Sequence, residues 1–117
     1  KKLLKQGRKV DELDSFGATP LLFAFVSGNE EMVEFLLRRK ANPTIEAKQG
    51  YSIMHAAAFS GNKTLVNKAL SLGLDLNVRF GEDGTTPTDV AEDDSEGYRF
   101  LRAMGAKTSW ELGPHFK

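Results

Sequence analysis

An all-α solenoid, built by stacking helix–turn–helix units along one axis, is the fold class that this 117-residue sequence predicts, and three observations carry it. The segments Gly17-Ala18-Thr19-Pro20, Gly50-Tyr51-Ser52-Ile53 and Gly84-Thr85-Thr86-Pro87 repeat one punctuation, with Thr19 and Ser52 spaced by 33 residues and Ser52 and Thr86 by 34. A second series keeps the same phase: Leu3-Leu4-Lys5-Gln6-Gly7, Leu36-Leu37-Arg38-Arg39-Lys40, Ala69-Leu70-Ser71-Leu72-Gly73 and Leu101-Arg102-Ala103-Met104-Gly105, whose last residues lie 33, 33 and 32 apart. Between these marks Met32, Val33, Leu36 and Leu37 recur at helical spacing, and Leu65, Val66, Ala69 and Leu70 repeat them.

In chain order, the sequence opens inside a second helix, so Leu3 and Leu4 lack the preceding partner that would bury them. Residues upstream of Lys1 are therefore expected to have been trimmed, disordered or removed by processing. Thr19-Pro20 then starts the first complete unit: the hydroxyl accepts from an orphan amide, and proline suits a first-turn position that needs no donor. Gly28-Asn29 and Gly61-Asn62 tolerate the left-handed geometry that closes one helix before the next. Gly7 and Gly73 end second helices, and the polar stretch beyond each is a tight reversal rather than a strand. Lys40 holds that place in the first unit, where the neighbouring turn must absorb the strain.

These residues resemble the ankyrin repeat, whose signature is a 33-residue period with Thr-Pro-Leu-His-x-Ala at the first helix. Thr19-Pro20-Leu21-Leu22-Phe23-Ala24 lacks only the histidine, Ser52-Ile53-Met54-His55-Ala56-Ala57 keeps it but loses the proline, and Thr86-Pro87-Thr88-Asp89-Val90-Ala91 is the third copy. The resemblance covers residues 1–107, read as a partial repeat over 1–13 and repeats over about 14–46, 47–79 and 80–107, with 108–117 as a C-terminal tail. The third unit is shorter between its helices, is acidic, and carries Arg102 in the apolar stripe, as suits a terminal repeat that must show water a polar face. Phe23 and Phe25 are expected between the layers, with Phe35 beneath them.

Composition narrows the function. The chain has no cysteine, which excludes disulfides, thiolate metal sites and cysteine nucleophiles. Sixteen basic residues balance sixteen acidic ones, so no global field draws it to nucleic acid or anionic lipid. The apolar run at residues 21–26 is far short of the roughly 20 residues that span a bilayer. No membrane insertion is expected, and the compartment stays open, a cytoplasmic one being favoured over a periplasmic or secreted one after processing.

No Ser, His and carboxylate spacing suggests a triad, and no glycine-rich loop precedes a basic residue. The residues name no catalytic group, metal or cofactor. The family resemblance implies that His55 bonds Ser52 and ties neighbouring repeats together. Asp75-x-Asn77-x-Arg79 fails as a calcium loop, because Arg79 stands at a ligand position and Phe80 at the obligatory glycine. The basic start (Lys1, Lys2, Lys5, Arg8, Lys9) has no interleaved stacking aromatics and reads as a solvated helix end. Asn62-Lys63-Thr64 is a glycosylation sequon.

The resemblance also implies that partners bind on the concave side, formed by loop tips and the exposed edge of each first helix. Repeat phase assigns to that side Ser15, Phe16, Ala18, Val26 and Ser27, then Lys48, Gln49, Tyr51, Phe59 and Ser60, then Glu82, Asp83, Thr85, Asp93 and Asp94. Phe16, Val26, Tyr51 and Phe59 give an apolar patch, with Gln49 beside it and Asp83, Asp93 and Asp94 as an acidic border. The function expected is a non-enzymatic protein-binding module, monomeric, whose protein partner supplies an apolar anchor and a basic rim. A stoichiometric inhibitor or immunity protein, and an adaptor fragment of a larger protein, are the alternatives.

Overall fold

A computed structural model describes residues 10–15 and 17–114. Leu3, Leu4, the basic start, Phe16 and His115 lie outside the described residues. Among the described residues seven α-helices follow in order: α1 Pro20–Val26, α2 Glu30–Arg38, α3 Ile53–Ser60, α4 Lys63–Ser71, α5 Pro87–Val90, α6 Glu96–Ala103 and α7 Ser109–Leu112. They pair as α1/α2, α3/α4 and α5/α6, while α1 packs on α3, α3 on α5 and α4 on α6. That is the helical solenoid. Its loop tips carry one isolated antiparallel bridge, Phe80 with Thr85, and no strand among the described residues.

Each helix begins where its cap stands. Thr19, Ser52 and Thr86 are extended and accept from the amides of Leu22, His55 and Asp89, with Pro20 and Pro87 in the first turns. Gly28 and Gly61 take φ of 71° and 70°, and each following asparagine caps the next helix, Asn29 accepting from Met32 and Asn62 from Leu65. At Lys40 φ is 70°, and the amides of Lys40 and Ala41 reach back to the carbonyls of Leu37 and Leu36. This paired closure is the one Gly73 and Gly105 make at the ends of α4 and α6, and it holds a lysine where glycine would be unstrained.

The core runs through all three units: Leu21, Leu22, Ala24 and Phe25 from α1, Val33 and Leu36 from α2, the run Ile53 to Ala58 of α3, Leu65, Val66 and Ala69 from α4, and Leu101 from α6. Phe23 departs from expectation. It is 67% exposed, because a helix that buries Leu21, Leu22, Ala24 and Phe25 must turn the residue between them outward. Phe25 is fully buried as expected, and Phe35 is half-buried with the Arg39 guanidinium 4.9 Å from its ring centre.

The second helices are laced between units by polar rungs. Asn62 Nδ2 donates to Glu30 Oε2 at 2.8 Å, Lys68 pairs with Glu34 at 2.8 Å, and Lys63 lies 5.7 Å from the centre of the Phe100 ring. Asn62 thus spends both ends of its amide on structure, Oδ1 accepting from the Leu65 amide and Nδ2 donating to Glu30.

The third unit is cut short. Its first helix has four residues against seven and eight in the others, and Asp94, with φ of 70°, stands where Gly28 and Gly61 stand. Thr88 occupies the phase of Leu21 and Met54, is 2% exposed, and its hydroxyl has no hydrogen-bond partner. Leaving such a group unpaired costs on the order of 1–3 kcal/mol. Thr88→Val, which keeps the shape and removes the hydroxyl, is expected to raise stability by about 1 kcal/mol, read as a higher urea midpoint.

Residues 108–114 are tied to the third unit. Thr108 and Glu111 form a reciprocal capping box that starts α7. Arg102 grips Glu111 with two bonds of 2.6 and 2.9 Å, so the residue that interrupts the apolar stripe instead anchors this helix. That grip holds the Glu111 carboxyl down at about 2. Arg79 donates to the carbonyls of Ser109 and Gly113, and Asp89 accepts from the Ser109 amide.

Candidate functional site

Repeat phase brings the predicted site residues to the ends of the first helices and to the loop tips. Val26 ends α1 half-buried, and Phe59, in the corresponding place on α3, is 58% exposed. The contrast along α3 is sharp: residues 53–58 are all buried, and the next is a phenylalanine in water. No core position claims its ring.

Tyr51 plays a different part. It stacks on His55 with ring centres 5.5 Å apart, and Phe80 meets both edge-on, at 5.0 Å from Tyr51 and 4.7 Å from His55. Burial raises the Tyr51 hydroxyl above its ordinary pKa. Tyr51 therefore lines the surface with one side and pads the repeat junction with the other.

His55 is that junction. The Ser52 amide donates to Nδ1 at 3.2 Å, which fixes Nδ1 as an acceptor, and the Ser52 hydroxyl lies 2.8 Å from the same nitrogen. The proton consequently sits on Nε2, which donates to the Thr85 carbonyl at 2.8 Å, across the boundary between the second and third units. Both roles expected of His55 are met. Burial pushes the imidazole below its ordinary pKa, against the opposing pull of the Thr85 carbonyl and the Asp89 charge.

The loop tips interlock. Gln49 adopts φ of 63° and its carbonyl accepts from the Gly81 amide at 2.9 Å, while its side chain is exposed. Glu82, Asp83 and Asp93 are exposed. Asp94 is exposed but partly engaged, since Arg99 Nη1 donates to its carboxylate at 3.1 Å and to its carbonyl at 2.6 Å. Asp89 belongs to the scaffold: burial pushes its carboxyl up, but hydrogen bonds from Thr86 and Ser109 outweigh that and hold it below its ordinary pKa. Phe16 lies outside the described residues.

Among the described residues no group of three or more His, Asp or Glu side chains is placed to hold a metal ion, and no helix is long and apolar enough to cross a membrane. Trp110, 91% exposed on α7, was not among the residues singled out by phase, because it lies beyond the last repeat. Its exposure depends on how α7 docks, which no periodicity reports.

Comparison with known proteins agrees with the architecture. Residues 1–80 match a family model described as ankyrin repeats in three copies. The chain is similar to the inactive serine/threonine-protein kinase TEX14 of Bos taurus, with 38% identity over 87 residues, 74% of this chain and 6% of that protein. It is similar to the transient receptor potential cation channel subfamily A member 1 of Homo sapiens, at 33% identity over 99 residues, 82% of this chain and 9% of the channel. Phosphocholine transferase AnkX of Legionella pneumophila is 29% identical over 117 residues, 95% of this chain and 12% of the transferase. The chain thus spans only 6 to 12% of the length of these relatives.

Proposed function

The chain belongs to the ankyrin repeat family, whose repeats are generally protein–protein interaction modules, and we propose that its concave side binds one protein partner without performing chemistry of its own. Phe59 is the apolar anchor, with Phe16, Val26 and Tyr51 around it, Gln49 as a polar contact, and Asp83, Asp93 and Asp94 as a border that meets lysine or arginine. The observation that carries the reading is the exposure of Phe59 directly after six buried residues of its own helix. Aromatic side chains that the core does not use are the kind that concentrate binding energy, at 2 kcal/mol or more on truncation. Three units suit a contact of about 800 Å² per side, and a monomer acting on a discrete partner.

Affinity capture tests it, comparing two exposed phenylalanines. Phe59→Asp is expected to weaken the captured complex at least about thirtyfold, while Phe23→Asp, at a position that repeat phase does not assign to the groove, is expected to leave it intact. Equal loss in both, or loss in neither, would move the site to another face. Tyr51→Ala is the poorer probe, since Tyr51 also packs on His55.

Between the narrower roles, an adaptor within a larger protein is favoured over a stoichiometric inhibitor by the length of the relatives, of which these repeats are a small share. Equimolar chain that abolished a partner enzyme's activity would favour the inhibitor.

A further inference from the structure

The first helices of the first and second units differ in their neighbours. Among the described elements α3 packs on α1 before it and on α5 after it, whereas α1 packs on α3 and on α2 of its own unit. Each unit touches only the units next to it, so a position buried on α3 but exposed at the same phase on α1 is one that a preceding first helix covers. Ile53 and Ala56 are 1% and 0% exposed, while Pro20 and Phe23, in phase with them, are half-buried and 67% exposed. In the third unit, which has α3 before it, Pro87 is again buried and Val90 half-buried.

The turns between helices show the same asymmetry. A Cβ on Gly28 would lie 3.9 Å from the Ser60 Cβ, so the turn of the first unit rests on the second, while Ser27, in phase with Ser60, is exposed. Asn62 reaches back to Glu30 in the unit before it, and Asn29, in phase with Asn62, is exposed. Four positions of the first unit thus lie open where the second unit is covered by a neighbour.

We infer that the face of the first unit that bears Pro20, Phe23, Ser27 and Asn29 is an interface that takes one more helix–turn–helix unit, supplied by the same polypeptide. The occupant follows from continuity, since both inter-unit contacts of the stack seat the same kind of element on this same arc. Relatives of which these repeats are 6 to 12% have the length to supply it. Phe23 adds a specification: it projects a ring where α3 carries a methyl group, so the covering helix must offer a small side chain opposite it. The inference lies outside the groove and does not depend on what the groove binds.

A copy of residues 47–66 joined ahead of Lys1 tests it. Lys1 is in phase with Asn67, so the addition continues the repeat without a break, and it brings the alanines of α3. Urea midpoints and amide exchange are measured for the chain with and without the addition, each also as Phe23→Asp. Without the addition, Phe23→Asp should leave the midpoint unchanged. The addition should raise the midpoint and slow exchange over residues 20–26 at least about tenfold, and Phe23→Asp should undo both. The same twenty residues in scrambled order should do neither. The rival occupant is a second copy of the chain, and sedimentation of the chain without the addition should show a monomer. No gain in protection over residues 20–26, a gain that Phe23→Asp leaves in place or the scrambled addition reproduces, or a dimer that Phe23→Asp dissolves would each overturn the inference, the last in favour of self-association through this face.

Discussion

Gly97→Ala is expected to cost about 2–3 kcal/mol and to loosen the third unit before the rest of the stack. Gly97 is the second residue of α6, and its amide donates to the Gly61 carbonyl at 3.0 Å. A Cβ at this position would lie 2.9 Å from the Gly61 carbonyl carbon and 3.1 Å from its Cα and oxygen. Those atoms are backbone and cannot swing aside. Gly61 cannot change to make room either, since its φ of 70° is itself a glycine conformation and Ser95 already sits 3.3 Å from where its own Cβ would be. The helix preference of alanine over glycine, up to about 1 kcal/mol, offsets only part of the clash. Because each repeat is held by its neighbours alone, the damage should stay near the boundary at first. Amide exchange is expected to accelerate over residues 87–103 while the amides of α1 and α2 keep their protection, with the urea midpoint lowered. A midpoint within experimental error of the parent chain would mean that the two backbones part at no cost.

That contact shows where the sequence stops being readable. The stack itself was legible because each unit repeats its caps and stripe in phase: Thr19, Ser52 and Thr86 begin first helices, and Val33 with Leu36 and Leu65 with Val66 and Ala69 are buried as the stripe requires. Period speaks only for positions that repeat. Gly97 falls where the other units carry Glu31 and Thr64, so it reads as a weak helix former, and only the close approach of α6 to Gly61 explains it. Phe23 was placed inside by its apolar neighbours, although its angle around α1 turns it to solvent. Arg102 reads in the sequence as the polar face of a terminal repeat, and nothing periodic points to its partner Glu111 on α7. For the candidate site, phase located Phe59 and Val26 but gave no sign that Tyr51 divides its ring between surface and junction, or that Asp94 is shared with Arg99. Interactions between a repeat and something that is not a repeat carry no period.

Acidification should loosen the same boundary through His55. The imidazole titrates below its ordinary value of 6.5 in the folded chain, chiefly because it is buried. Above pH 6.5 both folded and unfolded chains hold it neutral, and its full contribution is present. As pH falls through 6.5 the unfolded chain takes up a proton that the folded one refuses, so stability declines until the folded pKa is reached. The refusal has a visible geometry: the second proton would have to sit on Nδ1, where the Ser52 amide already donates and cannot turn away. Stability by urea denaturation is therefore expected to stay nearly level from pH 7.5 to about 6.5 and to fall from there to pH 5, with exchange rising first near Thr85, whose carbonyl His55 holds. His55→Leu should lose about 2 kcal/mol at pH 7.5, since it strands the Ser52 amide and the Thr85 carbonyl, and its stability should vary much less over this pH range. A slope that survived His55→Leu would place the acid sensitivity elsewhere and leave the inter-repeat bond a purely structural one.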